Sequence, residues 1–205
     1  MFNYVFPTCI WADRQASLAR NTLPIAEEYL TKYGVPFRGD SGYVTTYHNP
    51  ESALEINRDN RFAPVIEYIT KVAIEFLKHE HVDVDYFKES INTNRFLFIN
   101  KTLHGGSHPV HAHPKSLFSG VFYLKTSKDC SPLIFQDPRD YYKYNYYPLK
   151  KDATNTTISS SFSTEMVVPA VEGDIMMWPS WLEHQVLISK SNSERVALAF
   201  NIGQP

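Results

Sequence analysis

The sequence predicts a mostly β protein with N-terminal helices, built as a sandwich or jelly-roll-like barrel with helices packed on one sheet. Three observations support this fold class. The 13 Phe, 13 Tyr and 3 Trp, together with 13 Pro, favour short strands and shaped loops over a helical bundle. Amphipathic helical patterns are confined to the first part of the chain. Short runs rich in aromatic and β-branched residues, separated by turn residues, fill roughly the last 110 residues.

Two helices are predicted in the first part of the chain. Residues 13–33 read as one helix that stops before a glycine, and Pro24 is expected to split or restart it. In the second helix, residues 61–78, apolar residues recur at spacings of three and four. One face of this helix is therefore expected to cover a sheet.

The other N-terminal segments give weaker signals. NYVFPTCIWA, residues 3–12, is predicted to form the first strand. Residues 42–58 are ambiguous, because GYVTTYHN suits either a short strand or an extended loop. Asp59 or Asn60 precedes the second helix, and either side chain can cap its first turn.

Seven short strands are predicted from residue 94 onward. The Tyr-rich tract DYYKYNYYPLKKD, residues 140–152, is expected to form a long loop at one mouth of the barrel. We expect one domain over residues 1–205, with residues 1–93 as a helical support region and residues 94–205 as the β-barrel core. The predicted strands are RFLFINKTL, LFSGVFYLKT, PLIFQD, TEMVVPAV, GDIMMWPS, HQVLIS and RVALAFNI.

Charge and composition exclude several classes of function. The net charge is −2, from 20 basic and 22 acidic residues, so nothing predicts binding to nucleic acid through phosphate contacts. No stretch approaches the ~20 apolar residues that span a membrane. The opening MFNYVFPTCIWADRQ has no basic flank and no long apolar run, so no signal peptide is expected. Cys9 and Cys130 lie far apart, and a reduced cytoplasmic setting fits them.

Histidines are concentrated in one short segment, HPVHAHP. His111 and His113 are two residues apart, so on an extended segment their side chains share a face and can hold one metal ion. A third ligand must come from elsewhere in the fold, and His184, at the entry to another predicted strand, is the natural candidate. His104 and His108 read as loop residues, or as residues that steer a substrate.

Arg195 begins a strand with an unusual face. It shares that face with Ala197, Ala199 and Asn201, whereas the alternate residues are bulky and apolar. An arginine among alanines inside a barrel is costly unless it meets an anion, and its planar fork suits a carboxylate. The sequence therefore predicts a metal ion and a carboxylate-bearing molecule side by side.

These motifs resemble those of the 2-oxoglutarate- and Fe(II)-dependent oxygenases. The shared order is His-x-His, a strand ending in Tyr-Leu, a Gly-Asp turn, a histidine, and an arginine about ten residues later. The chain is most similar to the prolyl 4-hydroxylase-like branch, and within it to a group of bacterial and phage proteins. The stretches that carry this narrower likeness are VFPT, HPVHAHPKSLFSGVFYL, FQDPR, GDIMMWPSWLEHQV and ERVALAFNI.

The resemblance implies a double-stranded β-helix core and a role for particular residues. His111 and His184 correspond to the first and last metal histidines. Arg195 corresponds to the arginine that pairs with the distal carboxylate of 2-oxoglutarate, and Tyr123 to a tyrosine that hydrogen-bonds the same carboxylate.

The sequence departs from the family pattern in two places. The usual motif is His-x-Asp, whereas the second position here is His113, which would give a ligand set of three histidines. Alternatively, Asp137 in FQDPR reaches the metal and His113 lies behind it; we favour His113 because its spacing matches. A Ser or Thr often follows the arginine by two residues, where this chain has Ala197, so the corresponding hydrogen bond is expected from Tyr123 or Asn100.

The resemblance implies a hydroxylase-type dioxygenase that requires Fe(II), 2-oxoglutarate and O₂, is stimulated by ascorbate, and releases succinate and CO₂. Its substrate is expected to be a small molecule or a peptidyl side chain. No nucleic-acid or membrane partner is expected, and a homodimer is left open. The alternative is a cupin-like metalloenzyme or a metal-binding β-barrel that does not use 2-oxoglutarate. Arg195 discriminates between the two, because a cupin does not require it.

Overall fold

The computed structural model describes residues 7–139 and 164–203, except for the side chains of Asp40 and Ser41. This described part of the chain forms eleven strands and four α-helices, with a 3-10 segment, Asn60–Phe62, directly before α3. The helices are α1 (Ala16–Tyr33), α2 (Pro50–Arg58), α3 (Ala63–His79) and α4 (Val84–Thr93). The strands are β1 (Trp11–Arg14), β2 (Val35–Phe37), β3 (Asp40–Thr45), β4 (Arg95–Thr102), β5 (His108–His111), β6 (Phe118–Lys125), β7 (Leu133–Gln136), β8 (Glu165–Val168), β9 (Asp174–Pro179), β10 (His184–Val186) and β11 (Arg195–Ile202).

The strands form two antiparallel sheets. The major sheet has the order β1-β9-β6-β11-β4-β3-β2, and the minor sheet has the order β5-β10-β7-β8. The seven strands predicted from the second half of the sequence are all present. The prediction of a mostly β fold with N-terminal helices is therefore confirmed.

Strand β11 shows how the major sheet separates two cores. Val196, Leu198 and Phe200 point to one face and pack with the apolar sides of the helices. Ala197 points to the other face and packs with side chains from both sheets, such as Phe135 of the minor sheet. Alternation along one strand thus places large apolar residues under the helices and small residues between the sheets.

Pro24 does not interrupt α1, contrary to the prediction. The helix is continuous from Ala16 to Tyr33 with Pro24 inside it. A proline in a helix interior costs about 3 kcal/mol or more. Tyr29 and Leu30 beyond it are buried in the helix-side core, and burying each large apolar side chain contributes about 1.5–3 kcal/mol. Packing therefore outweighs the missing backbone hydrogen bond.

The ambiguous residues 42–58 form both a strand and a helix. Their first part belongs to β3, which pairs with β4, and their last part is α2. Asn49 caps α2 by accepting from the backbone N–H of Glu51. Asp59, one of the two predicted caps, accepts from the N–H of Arg61 and caps the 3-10 segment, whereas α3 itself has no side-chain cap.

The N-terminal region is more than a helical support. Three of its segments, β1 to β3, are strands of the major sheet. The first strand was predicted at residues 3–12, but β1 starts only at Trp11, and residues 1–6 lie outside the described part. The division at residue 93 and the single-domain assignment stay predictions. The Tyr-rich tract 140–152 also lies outside the described residues. None of the described helices is long and apolar enough to cross a membrane.

Candidate metal and co-substrate site

Two histidines that are 73 residues apart in the sequence are neighbours in the minor sheet. Strand β10 pairs antiparallel with β5, and His184 is the direct cross-strand partner of His111. Side chains of such partners stand on the same face of a sheet. Their imidazole centroids are accordingly 4.3 Å apart.

His113 joins this pair from just beyond the end of β5. Its backbone N–H donates to the carbonyl oxygen of Ser180 at 2.9 Å, which holds the segment against the end of β9. The His113 ring lies 4.9 Å from that of His111 and 5.4 Å from that of His184. One ring nitrogen from each of the three lies within 4.8 Å of the other two. We call these three residues the histidine cluster; its donor set suits a divalent transition-metal ion.

Two backbone carbonyls fix the tautomers of His111 and His184. Nδ1 of His111 lies 2.9 Å from the Pro109 oxygen, and Nδ1 of His184 lies 2.9 Å from the Leu182 oxygen. A carbonyl oxygen can only accept, so each Nδ1 carries the proton and each Nε2 keeps its lone pair. This is the usual support for a metal-binding histidine.

Burial keeps the histidine cluster uncharged. It lowers the pKa of His184 to about 3 and that of His113 to about 4, with a smaller contribution from the neighbouring imidazoles. Burial also lowers the pKa of His111 below its ordinary value. The three rings are therefore neutral at neutral pH, which is the protonation state that a metal ligand needs.

Arg195 lies in the same cavity with part of its guanidinium unpaired. It is 4% exposed, and its Nη1 donates to the Ser131 carbonyl oxygen at 2.8 Å. Its Nε has no partner among the described atoms. An isolated buried cation costs several kcal/mol, which an anion that accepts from the guanidinium would offset.

Unpaired polar atoms surround this arginine in a pattern set by strand register. Ala197 of β11 pairs with Asn100 of β4 and with Tyr123 of β6, and Arg195 pairs with Thr102. Asn100 Oδ1, Thr102 Oγ1 and the Tyr123 hydroxyl are buried without a partner in the described structure. Burial raises the pKa of Tyr123 to about 12, so its hydroxyl stays a donor. Of these groups, Tyr123 and Asn100 line the cavity together with Arg195, and they suit one end of a dicarboxylate.

Sequence reasoning found part of this set and missed the rest. Tyr123 and Asn100 were predicted to supply the hydrogen bond that Ala197 cannot make, and they are the two cross-strand neighbours of that alanine. Thr102 has the same strand parity as Asn100 but does not line the cavity. Tyr43 was missed because β3 was ambiguous; it pairs with Thr102, lines the cavity, and has its pKa raised to about 12 by burial.

Asp137, the alternative metal ligand, contacts Arg139. Its carboxylate accepts from the guanidinium of Arg139 at 3.1 Å and from the Arg139 backbone N–H at 2.8 Å. It is not among the residues whose ligand atoms gather with the histidine cluster. The geometry favours His113 over Asp137 as the third ligand.

The other histidines of the segment separate into two kinds. His104 is exposed in a turn. His108 lies in β5, lines the cavity and sits with its ring 4.0 Å from that of His111. His48, which no sequence pattern singled out, also lines the cavity.

One cavity of about 300 Å³ connects the histidine cluster with Arg195 and its polar neighbours. Arg195, Tyr123 and the histidine cluster all line it. A second set of metal-ligand atoms, from Cys9, His79 and Glu80, also lies within 4.8 Å of one another, but His79 and Glu80 are exposed and none of the three lines this cavity. The cavity is large enough for a small dicarboxylate next to a metal ion.

Known structures share this fold at low sequence identity. A prolyl-4-hydroxylase from Pseudomonas putida matches with a TM-score of 0.65 and 12% identity, over 97% of this chain and 94% of that chain. A prolyl hydroxylase from Trichoplax adhaerens, in complex with a hypoxia inducible factor oxygen degradation domain peptide fragment, matches with a TM-score of 0.55 and 11% identity, over 95% and 83%. HygX from Streptomyces hygroscopicus, solved with nickel, 2-oxoglutarate and hygromycin B, matches with a TM-score of 0.54 and 13% identity, over 96% and 83%. The fold is therefore the double-stranded β-helix of these oxygenases.

The family follows from the sequence itself. A family model described as "Putative 2OG-Fe(II) oxygenase" matches residues 97–201, slightly more than half of the chain, from within β4 to within β11. No curated protein matches the chain significantly. The chain belongs to this 2-oxoglutarate–Fe(II) oxygenase family.

Proposed function

We propose that the protein is a hydroxylase-type dioxygenase in which the histidine cluster holds Fe(II) and Arg195, Tyr123 and Asn100 bind 2-oxoglutarate. When bound, iron and 2-oxoglutarate supply the oxidising chemistry, in which O₂ converts 2-oxoglutarate to succinate and CO₂ while a second substrate is hydroxylated. The observation that carries the proposal is the single cavity that joins three neutral imidazoles to a buried, incompletely paired arginine.

Three residues of the protein position 2-oxoglutarate and neutralise the charge of its distal carboxylate. The Arg195 guanidinium donates to the distal carboxylate of 2-oxoglutarate, and the Tyr123 hydroxyl donates a second hydrogen bond to it. The Asn100 amide can donate through its nitrogen, because amide orientations are assigned from their partners. The low exposure of these three residues excludes competing water and strengthens each of these bonds.

With three histidine ligands, the proposed metal site has a more positive net charge than a site with the usual His-x-Asp motif. A ligand set with one aspartate carries one negative charge, whereas three imidazoles carry none. The ion would therefore keep its full double charge. We expect this to favour an anionic co-substrate.

The proposed substrate is a small molecule or a peptidyl side chain. This follows the two kinds of ligand held by the structurally similar HygX and Trichoplax prolyl hydroxylase. A cytoplasmic location is also part of the proposal, since Cys9 and Cys130 are both free thiols.

The test is co-substrate turnover without the second substrate. Protein given Fe(II), 2-oxoglutarate and ascorbate is expected to form succinate slowly under air. Arg195→Ala should raise the KM for 2-oxoglutarate and leave metal affinity unchanged, and His184→Ala should abolish both turnover and metal binding. Arg58→Ala, at the exposed end of α2, is the matched control. Equal turnover by Arg195→Ala would favour a metalloenzyme that does not use 2-oxoglutarate.

A further inference from the structure

A tight hairpin places one arginine at the mouth of the cavity. Strands β2 and β3 are joined by the two residues Arg38 and Gly39, and Phe37 pairs directly with Asp40. Both loop residues have positive φ, 49° for Arg38 and 79° for Gly39, as a type I′ hairpin turn requires. A two-residue loop of this kind has little freedom, so the position of Arg38 is set by the fold. Arg38 is exposed and lines the cavity.

Aromatic side chains form a rim next to this arginine. The Phe37 ring lies 4.6 Å from the His108 ring and 5.6 Å from the His48 ring, nearly parallel to each. Tyr47 packs edge-on against His48 and Phe98 at 5.2 and 5.0 Å. We call the cavity-lining rings of Phe37, Tyr43, Tyr47, His48, Phe98 and His108 the aromatic rim.

The aromatic rim leads directly to the histidine cluster. His108 belongs to the aromatic rim, and its ring centroid lies 4.0 Å from that of His111 in the histidine cluster. A group that rests on the rim therefore lies beside the proposed iron site. Rings packed against one another are pre-organised, and they favour a flat or cyclic apolar group of the ligand.

The charged side chains among the described lining residues of the cavity are all basic. Its described lining includes Arg38 and Arg195 and contains no aspartate or glutamate. Arg195 is taken by 2-oxoglutarate in the proposed function. Arg38 has its guanidinium carbon 5.1 Å from the centre of the Phe37 ring and forms no ion pair with any described side chain. Among the lining residues that the structure describes, it is the cation left to meet the second substrate.

We propose that the second substrate joins a ring to an anionic group, and that Arg38 is the residue that selects the anion. This proposal rests on the proposed function. The ring packs on the aromatic rim beside the histidine cluster, and the anion pairs with Arg38 at the mouth. A cationic substrate is disfavoured, because it would meet one arginine at the mouth and a metal ion inside.

The experiment uses the full chain loaded with Ni(II) and 2-oxoglutarate, which does not turn over. Four probes are titrated by calorimetry: 3-phenylpropanoate, its neutral amide, the cationic 3-phenylpropylamine, and the ringless anion hexanoate. The variants are Arg38→Asn, which removes the charge and suits a positive φ, Arg38→Lys, which keeps the charge, and Arg58→Ala as the control. Retention of 2-oxoglutarate is measured in each titration. A probe that binds at Arg195 would displace 2-oxoglutarate and is recognised in this way.

The wild type should bind 3-phenylpropanoate about fivefold more tightly than its amide, as an exposed ion pair allows, and more tightly than hexanoate or the amine. Arg38→Asn should remove the preference for the anion, Arg38→Lys should keep most of it, and about 1 M salt should suppress it. No binding of 3-phenylpropanoate, equal binding of acid and amide, or an unchanged preference in Arg38→Asn would overturn the proposal. Failure of 2-oxoglutarate to bind any form would instead count against the proposed function.

Discussion

The side-chain amide of Asn201 lies 3.4 Å from Nδ1 of His113. On its other side, the same amide accepts from the Ser119 hydroxyl at 2.8 Å. His111 and His184 have backbone carbonyls in the corresponding position, so His113 is the member of the histidine cluster that a side chain supports. For His113 to offer Nε2 to a metal, its Nδ1 must carry the proton, and the Asn201 amide must turn its oxygen toward that ring.

This interaction predicts that Asn201 tunes metal affinity. Asn201→Ala should weaken Ni(II) binding by about tenfold, as expected for the removal of an outer hydrogen-bond partner. Asn201→Asp should bind at least as tightly as the wild type, because a carboxylate accepts from Nδ1 and supplies the negative charge that the ligand set lacks. Calorimetry in a Cys9→Ser background, which excludes ligation by the Cys9 thiol, measures both. Unchanged affinity in Asn201→Ala would contradict the role.

The hydroxyl of Tyr123 is predicted to have opposite effects with and without co-substrate. It is buried and unpaired, so Tyr123→Phe should leave the free protein as stable or slightly more stable. A hydrogen bond to a charged group contributes about 1.5–3 kcal/mol, so the same change should weaken 2-oxoglutarate binding by at least about tenfold. Thermal unfolding and calorimetric titration measure the two effects. A variant that loses stability but keeps full affinity would rule out the hydroxyl as a co-substrate ligand.

Asp137 and His113 give opposite predictions for the third ligand. Asp137→Asn should leave metal affinity within about twofold, because its carboxylate pairs with Arg139. His113→Ala should weaken metal binding by more than the roughly 10- to 100-fold typical of removing an outer partner. The comparison uses Ni(II) titrations of both variants. If Asp137→Asn loses the metal and His113→Ala keeps it, the aspartate is the third ligand.

The lowered histidine pKa values predict that the metal-free protein loses stability in acid. An unfolded histidine has a pKa of about 6.5, whereas burial lowers the pKa of folded His184 to about 3. The unfolded chain therefore takes up the proton first, so the contribution of His184 is complete above about pH 6.5 and is lost as the pH falls toward 3. Each such group lowers the free energy of unfolding by up to about 1.4 kcal/mol per pH unit in this window.

Urea unfolding of metal-free wild type and His184→Phe at pH 7 and pH 5 isolates this effect. The wild type should lose about 2 kcal/mol more than the variant between the two values. Parallel losses would mean that His184 has an ordinary pKa in the folded protein.

The strands were predictable because side chains alternate between faces every two residues and because turn residues between the strands are frequent. RVALAFNI, with its small and large residues on alternate faces, already indicated which side of β11 lines the cavity. Helices α2 and α4 were not predicted, since nine or ten residues give too few turns for a helical period to stand out. The prediction that Pro24 splits the first helix was wrong because the packing of the residues beyond it cannot be inferred from the local sequence.

The site was predictable where strand parity or the family resemblance indicated a residue, and not where only the pairing of distant segments brings it in. His111, His184 and Arg195 follow from spacing and from the resemblance. The pairing of β3 with β4, which brings Tyr43 to the arginine, depends on sheet order. The interaction of Asn201 with His113 spans 88 residues and joins a strand to a loop. No pattern within either segment indicates it.

A crystal of the protein soaked anaerobically with Ni(II) and 2-oxoglutarate tests the central claim most directly. We expect one anomalous peak bound by the imidazoles of His111, His113 and His184, and a 2-oxoglutarate carboxylate paired with the guanidinium of Arg195. Metal bound elsewhere with the three imidazoles left uncoordinated, or 2-oxoglutarate absent from Arg195, would contradict that claim.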